Sequence, residues 1–209
     1  MNIPTSSIDR VAGYKLLTGS IVPRPIAWVT SVAKSGVVNL APFSAFTYLS
    51  TDPILIGINI GPPRSKDKQR KDTARNILES KEYVVNIADV SLTEAVHLSS
   101  IEHPAEVSEA ELLGLELAPS QHIRVPRISV APISLECRFE QLISFGRRQN
   151  EFFIGEVIAF NVREDILDNG KIDSLKLSPI CRLAGPNYAS IGNMKTFGTV
   201  DSGAHLKAF

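Results

Sequence analysis

The chain has 209 residues, with 22 Lys plus Arg against 22 Asp plus Glu, so its formal net charge at pH 7 is zero. This balance argues against a nucleic-acid partner and against an acidic tail seeking a basic one, and the length suits one domain, or one domain that needs a partner subunit. Hydrophobic content of 44% allows a real core; no stretch approaches the ~20 apolar residues of a membrane helix, and Met1-Asn2-Ile3-Pro4 does not open a signal segment.

In chain order, residues 9–17 are expected to form a short helix, with Gly19 just past its end. Pro23 and Pro25 then hold the backbone extended around Arg24, because a residue before proline is pushed out of the helical region. Arg24 therefore points in a fixed direction, toward a surface ion pair or toward a ligand. Runs rich in β-branched and aromatic residues at 26–33, 37–48 and 54–60 read as three strands bounded by Gly, Pro and Asp. Their short connections favour antiparallel neighbours. Pro42 must sit at an edge, a bulge or a strand end, and the run 37–48 is either one strand or two broken at Pro42.

Residues 24–48 carry the chemistry of the first half. The apolar run 26–29 ends in Thr30 and Ser31, and Lys34-Ser35-Gly36 makes a turn. Asn39, Ala41 and Ser44 stand where a packed strand pair would carry larger apolar residues. Small side chains leave room for a flat body near the backbone, and the hydroxyls and amide supply donors and acceptors for it. The plain alternative is a hairpin with a polar turn.

Residues 61–71 form a polar loop with five basic residues, Arg64, Lys66, Lys68, Arg70 and Lys71. Asp72 or Thr73 is expected to cap a helix reaching about Ser80. The unpaired amides and positive end of that helix, beside basic side chains, make a phosphate seat; a solvated basic loop is the alternative. Residues 83–88 read as a strand. Ser91-Leu92-Thr93-Glu94 has the form of a capping box for a helix over 92–100, in which His97 is expected to be partly buried. Residues 91–121 make a helical excursion over the barrel. Strands resume at 133–143 and 152–162, with a bulge or close backbone approach expected at Gly155. A turn at Asn169-Gly170 and another at Gly185-Pro186-Asn187 lead to Tyr188. The tail, about 190–209, either wraps a partner or is loose.

No repeat or linker divides the chain, so residues 1–209 are read as one domain. Many short strands with a few helices predict a mainly β protein, a closed or nearly closed barrel with helices at its ends. Cys137 and Cys181 lack metal-ligand spacing and are expected to be buried free thiols in a reducing cytoplasm. There is no GxGxxG after a strand, no Walker loop, no HExxH and no GxSxG, and the four histidines are scattered. What remains are polar residues able to hold a cofactor, without an evident nucleophile or base. That suits chemistry supplied by a bound cofactor, with the protein positioning it.

The ordered set Arg24-Pro25-Ile26-Ala27, Thr30-Ser31, Gly36, Asn39-Leu40-Ala41-Pro42-Phe43-Ser44, Lys71-Asp72-Thr73, Asn76-Ile77, Val85-Asn86 and Arg182-Leu183-Ala184-Gly185-Pro186-Asn187-Tyr188 resembles the flavin reductase-like family of FMN-binding split-barrel proteins. The resemblance implies a mainly β, Greek-key split barrel with a few flanking helices. It implies FMN as cofactor, NAD(P)H as co-substrate, and free flavin or another small molecule as electron acceptor. It also implies a homodimer with the flavin at its interface, and no membrane. On this resemblance Thr30 and Ser31 contact the ribityl chain or phosphate, and Asn39, Ala41 and Ser44 line the ring edge. Arg70, Lys71 and Thr73 hold the 5′-phosphate, and Tyr188 packs near the flavin. Trp28 belongs to the core, no residue is assigned a catalytic role, and the excursion borders the substrate side. An FMN-binding electron carrier of the flavoredoxin type, without efficient NAD(P)H oxidation, fits the same motifs. A small barrel without enzymatic activity is the third alternative.

Overall fold

The computed structural model describes residues 1–63 and 69–197. Arg64, Lys66 and Lys68 of the basic loop, and the tail beyond residue 197, lie outside them.

Seven strands make one antiparallel sheet: β1 (Ala27–Val32), β2 (Val38–Phe43), β3 (Phe46–Thr51), β4 (Ile54–Gly61), β5 (Glu82–Ile87), β6 (Ile133–Phe145) and β7 (Asn150–Val162), in the order β2-β1-β5-β6-β7-β4-β3. Side chains alternate along each strand. Ala27 and Val29, Ile56, Ile58 and Ile60, Tyr83 and Val85, Leu135 and Cys137, and Phe153 and Val157 all turn into one core. The run 37–48 is two strands. It breaks at Ser44 and Ala45, just past Pro42, and its halves become the two opposite edges of the sheet. The Asn59 amide donates to the Ala45 carbonyl at 2.9 Å, where the curled sheet meets itself. Pro42 therefore lies on an edge strand, the one place in a sheet where its missing N–H costs nothing.

β1 is buried on both faces. Its outer residue Trp28 packs beneath the excursion with Leu40, Val96 and Ile128, and its indole N–H donates to Ser99 Oγ at 2.9 Å. Buried polar groups fasten the excursion to the sheet. Asn86 donates to the Trp28 carbonyl at 3.0 Å and accepts from the Ile128 amide at 3.0 Å and Ser134 Oγ at 2.9 Å. Glu136 accepts from the amides of Gln121 and His122 at 2.9 and 2.8 Å. Within the excursion only Thr93–Leu98 and Glu109–Leu112 are α-helical. The expected capping box is replaced by Asp89, which accepts from the Ser91 amide. His97 is exposed rather than partly buried.

α1 (Arg10–Ser20) is capped by Asp9, whose carboxylate accepts from the Ala12 amide at 2.7 Å. It runs through Gly19 rather than ending before it, and none of its residues is buried. α2 (Asp72–Ser80) packs Ala74 and Ile77 into the barrel core.

Gly155 shows both expected features. The β6–β7 register shifts beside it, and a Cβ there would lie 2.1 Å from Tyr83 Oη and 2.9 Å from the Arg138 carbonyl. Gly155→Ala is expected to destabilise the fold by about 2 kcal/mol through overpacking, read as a lower urea midpoint. An unchanged midpoint would show that Tyr83 moves aside freely. Burial pushes the Tyr83 hydroxyl and the Cys137 thiol well above their ordinary pKa values. Both stay neutral at physiological pH, so Cys137 is a core residue and not a reactive thiol. Cys181 is also free but only half-buried.

Candidate functional site

Where the sheet edges part, two cavities open and share Pro42, Phe43 and Lys71. The larger, about 600 Å³, lies between α1, Arg24, the segment Pro42–Phe46, the end of β4 from Asn59 to Gly61, Lys71 and Asn150. Its polar lining includes Arg24, Ser44, Asn59 and Asn150, and its charged lining is Arg24 and Lys71; among the described residues no carboxylate lines it. The smaller, about 110 Å³, lies between β2, the start of α2 and the excursion at Ser99–His103 and Glu109.

Local structure explains these placements. The β1–β2 turn at Gly36 has φ of 90°, which favours glycine, and it sets Asn39 opposite Ser31 and Ala41 opposite Val29. Asn39 donates from Nδ2 to Thr73 Oγ1 at 2.9 Å, joining β2 to the first turn of α2. The N-cap of α2 is Lys71, not Asp72 or Thr73, and no side chain caps it. The first-turn amides and the positive helix end thus stand at the wall of the smaller cavity. Three carboxylates line the smaller cavity, Asp72, Glu102 and Glu109; Asp72 pairs with Arg75 at 2.5 Å, and Glu109 accepts from the Leu40 amide at 2.9 Å. Lys71 Nζ stands 5.9 Å from the Phe43 ring centroid, at the junction of the two cavities.

Of the residues singled out from sequence, the structure brings five together: Asn39, Ala41, Lys71 and Thr73 line the smaller cavity, and Ser44 and Lys71 the larger. The other four line neither. Thr30 and Ser31 are 0% exposed. Thr30 Oγ1 donates to the Pro126 carbonyl at 2.7 Å, and Ser31 Oγ accepts from Asn76 at 3.2 Å. Both hydroxyls are held within the fold and reach neither cavity. Arg70 turns to β7 and pairs with the buried Glu151 at 2.7 Å. Tyr188 accepts from Arg182 Nη1 at 2.6 Å, with the guanidinium 4.7 Å above its ring, and meets His97 edge-on at 5.8 Å.

Arg24 is not in a surface ion pair. Sequence reasoning missed Tyr14, Asn59 and Asn150 as cavity walls. Asn59 had one signal, a single amide between Ile58 and Ile60 in an apolar run. Among the described residues no group of three or more His, Cys, Asp or Glu could hold a metal ion, and no helix is long and apolar enough to cross a membrane.

This site fits a ligand with a flat, largely apolar body, polar edges and an anionic end, and FMN has that form. The larger cavity is of ordinary cofactor-site size, and Lys71 joins it to a helix start suited to phosphate.

The flavin reductase like domain family matches residues 18–176. A protein of Halalkalibacterium halodurans is 43% identical over 196 residues, covering 92% of this chain and 93% of that one. The structure of nitrilotriacetate monooxygenase component B from Bacillus cereus superimposes with a TM-score of 0.89 at 39% identity, covering 94% of this chain and 98% of that one. The structure of 2-nitrobenzoate 2-nitroreductase NbaA from Pseudomonas fluorescens gives 0.88 at 36%, covering 100% of both. The chain belongs to the flavin reductase-like family, and its rolled sheet is a split barrel.

Proposed function

We propose that the protein binds FMN across the two cavities and works as an NAD(P)H-dependent oxidoreductase whose electron acceptor is free flavin or another small organic molecule. One observation carries this reading: a cation-lined cavity of about 600 Å³, with no carboxylate in its wall among the described residues, meets, at Lys71, a helix start without a side-chain cap. When bound, FMN supplies the redox chemistry, taking hydride from a nicotinamide and passing electrons to the acceptor.

The chain's own groups bind and orient. Lys71, Thr73 and the first amides of α2 hold the phosphate. Asn39 fixes the Thr73 hydroxyl. Phe43 and Pro42 form an apolar wall, and Ser44 presents a hydroxyl at its edge. Among the described residues no His, Cys, Asp or Glu lines the larger cavity, so proton and hydride handling falls to the cofactor. The relatives named as a monooxygenase component and as a nitroreductase are compatible with a small-molecule acceptor.

The same reading includes a homodimer. α1 exposes Val11, Tyr14 and Leu17, followed by Ile21, at 49 to 64%, and the edge hairpin exposes Tyr48 at 77%. An eleven-residue helix without a buried face is marginal alone. Tyr14, Leu17 and Ile21 also line the larger cavity, so a second copy packed on this stripe encloses the flavin. Free thiols suit a reducing cytoplasm.

Anaerobic addition of NADH or NADPH to the FMN-loaded protein is expected to bleach the flavin band near ~450 nm. A band that persists with both would favour the carrier reading. Light scattering on the same sample is expected to give twice the chain mass; a monomer would remove the dimer.

A further inference from the structure

Arg24 is half-buried and four of its five guanidinium N–H groups have partners, yet among the described residues no carboxylate answers it. Its Nη1 donates to the Thr18 carbonyl and, at 2.8 Å, to the Ile21 carbonyl; Nη2 donates to the Leu183 carbonyl at 2.9 Å; Nε faces Ser44 Oγ at 3.4 Å. Every acceptor is neutral, and among the described residues Arg24 makes no ion pair. Its cross-strand neighbour is another arginine, Arg182. Pro23 and Pro25 stiffen the backbone on either side. The guanidinium is thus a fixed positive charge in the wall of the larger cavity. The other charged or titratable side chains lining that cavity are Lys71 and Tyr14.

A partly desolvated cation without a counter-charge is costly. It fits a site where negative charge develops. Reduction of FMN adds two electrons and one proton, so the isoalloxazine ring gains one negative charge while the phosphate charge does not change. We propose that Arg24 is the residue that sets the reduction potential of the bound flavin: its fixed charge stabilises the anionic reduced ring over the neutral oxidised one and raises the potential. Lys71, at the junction toward α2, acts on the phosphate and so on both redox forms alike. The inference rests on the FMN reading and goes one step past it, by separating the two cations that line one cavity.

The test measures, for wild type, R24Q, R24K and K71M, the dissociation constant of oxidised FMN and the midpoint potential of the complex. R24Q is expected to lose at least tenfold more affinity for reduced than for oxidised FMN, a fall of about 30 mV for this two-electron couple. R24K, which keeps the charge, is expected to fall less. K71M is expected to weaken both forms by the same factor. An R24Q complex with the wild-type potential, or one weakened equally in both forms, overturns the role of Arg24 and leaves the FMN reading intact. A wild-type protein that binds no FMN overturns both.

If R24Q does not fold, the wild-type complex carries the test. Its reduced flavin is expected to stay anionic at a pH where free reduced FMN has taken up the N1 proton. Protonation at the same pH as free FMN overturns the proposal.

Discussion

Replacing Lys71 and Thr73 together by alanine weakens FMN binding at least tenfold, about 1.4 kcal/mol or more. Two contributions add. Lys71 supplies the cation at the junction of the cavities, and a charge-assisted hydrogen bond to phosphate contributes roughly 1.5–3 kcal/mol. Thr73 is 2% exposed and holds its hydroxyl at the start of α2 against Asn39. Its loss leaves the Asn39 amide without that acceptor. Fluorescence titration with FMN reads the effect, and riboflavin is the control. Riboflavin lacks the phosphate, so its weaker binding should not change in the double variant. Equal FMN affinity in wild type and variant would remove α2 as the phosphate seat.

The largest effect on stability is expected at Asn86, with Asn86→Leu costing about 3 kcal/mol. The side chain is 0% exposed and bonds the Trp28 carbonyl, the Ile128 amide and Ser134 Oγ. Leucine fills the space and strands all three partners, and each unsatisfied buried group costs about 1–3 kcal/mol. The damage also has a direction. Asn86 joins β1, β6 and the excursion, so its loss frees the segment that packs on Trp28. Trp28 is the only tryptophan, and its emission is expected to shift to the red at lower urea in the variant. A urea midpoint within error of wild type would show that the excursion is held elsewhere, by Glu136 and Thr30.

Strand positions were largely legible because their runs are rich in β-branched and aromatic residues; a burial period of two is clear in β7, whereas β6 buries its first five residues without a break. The division between β2 and β3 was legible only as an alternative, a break at Pro42, two residues before the observed one. Phe43-Ser44-Ala45-Phe46 contains no glycine and reads as continuous strand; only closure of the sheet sends the two halves to opposite edges. The paired segments Arg24–Pro25, Cys181–Arg182 and Tyr188–Ala189 are two residues each, too short to carry a periodic signal.

For the site, Asn39, Ala41, Ser44, Lys71 and Thr73 were readable as small or polar residues at strand and helix ends. Thr30 and Ser31 looked equivalent in sequence. Their partners, the Pro126 carbonyl and Asn76, come from distant segments, and nothing local tells a satisfied strand hydroxyl from a waiting one. Arg70 shows the same difference: in sequence it belongs to a basic loop, and in space it pairs with Glu151. Arg24 shows the converse. Two flanking prolines announced a directed arginine, but the carbonyls that receive it could be seen only in the fold.

The most direct test of the FMN site is a crystal structure of the protein with FMN. The ring is expected against Pro42–Phe46 in the larger cavity, with Arg24 at its edge and the phosphate at Lys71, Thr73 and the first amides of α2. A ring placed elsewhere, or a phosphate away from α2, would contradict the assignment of both cavities.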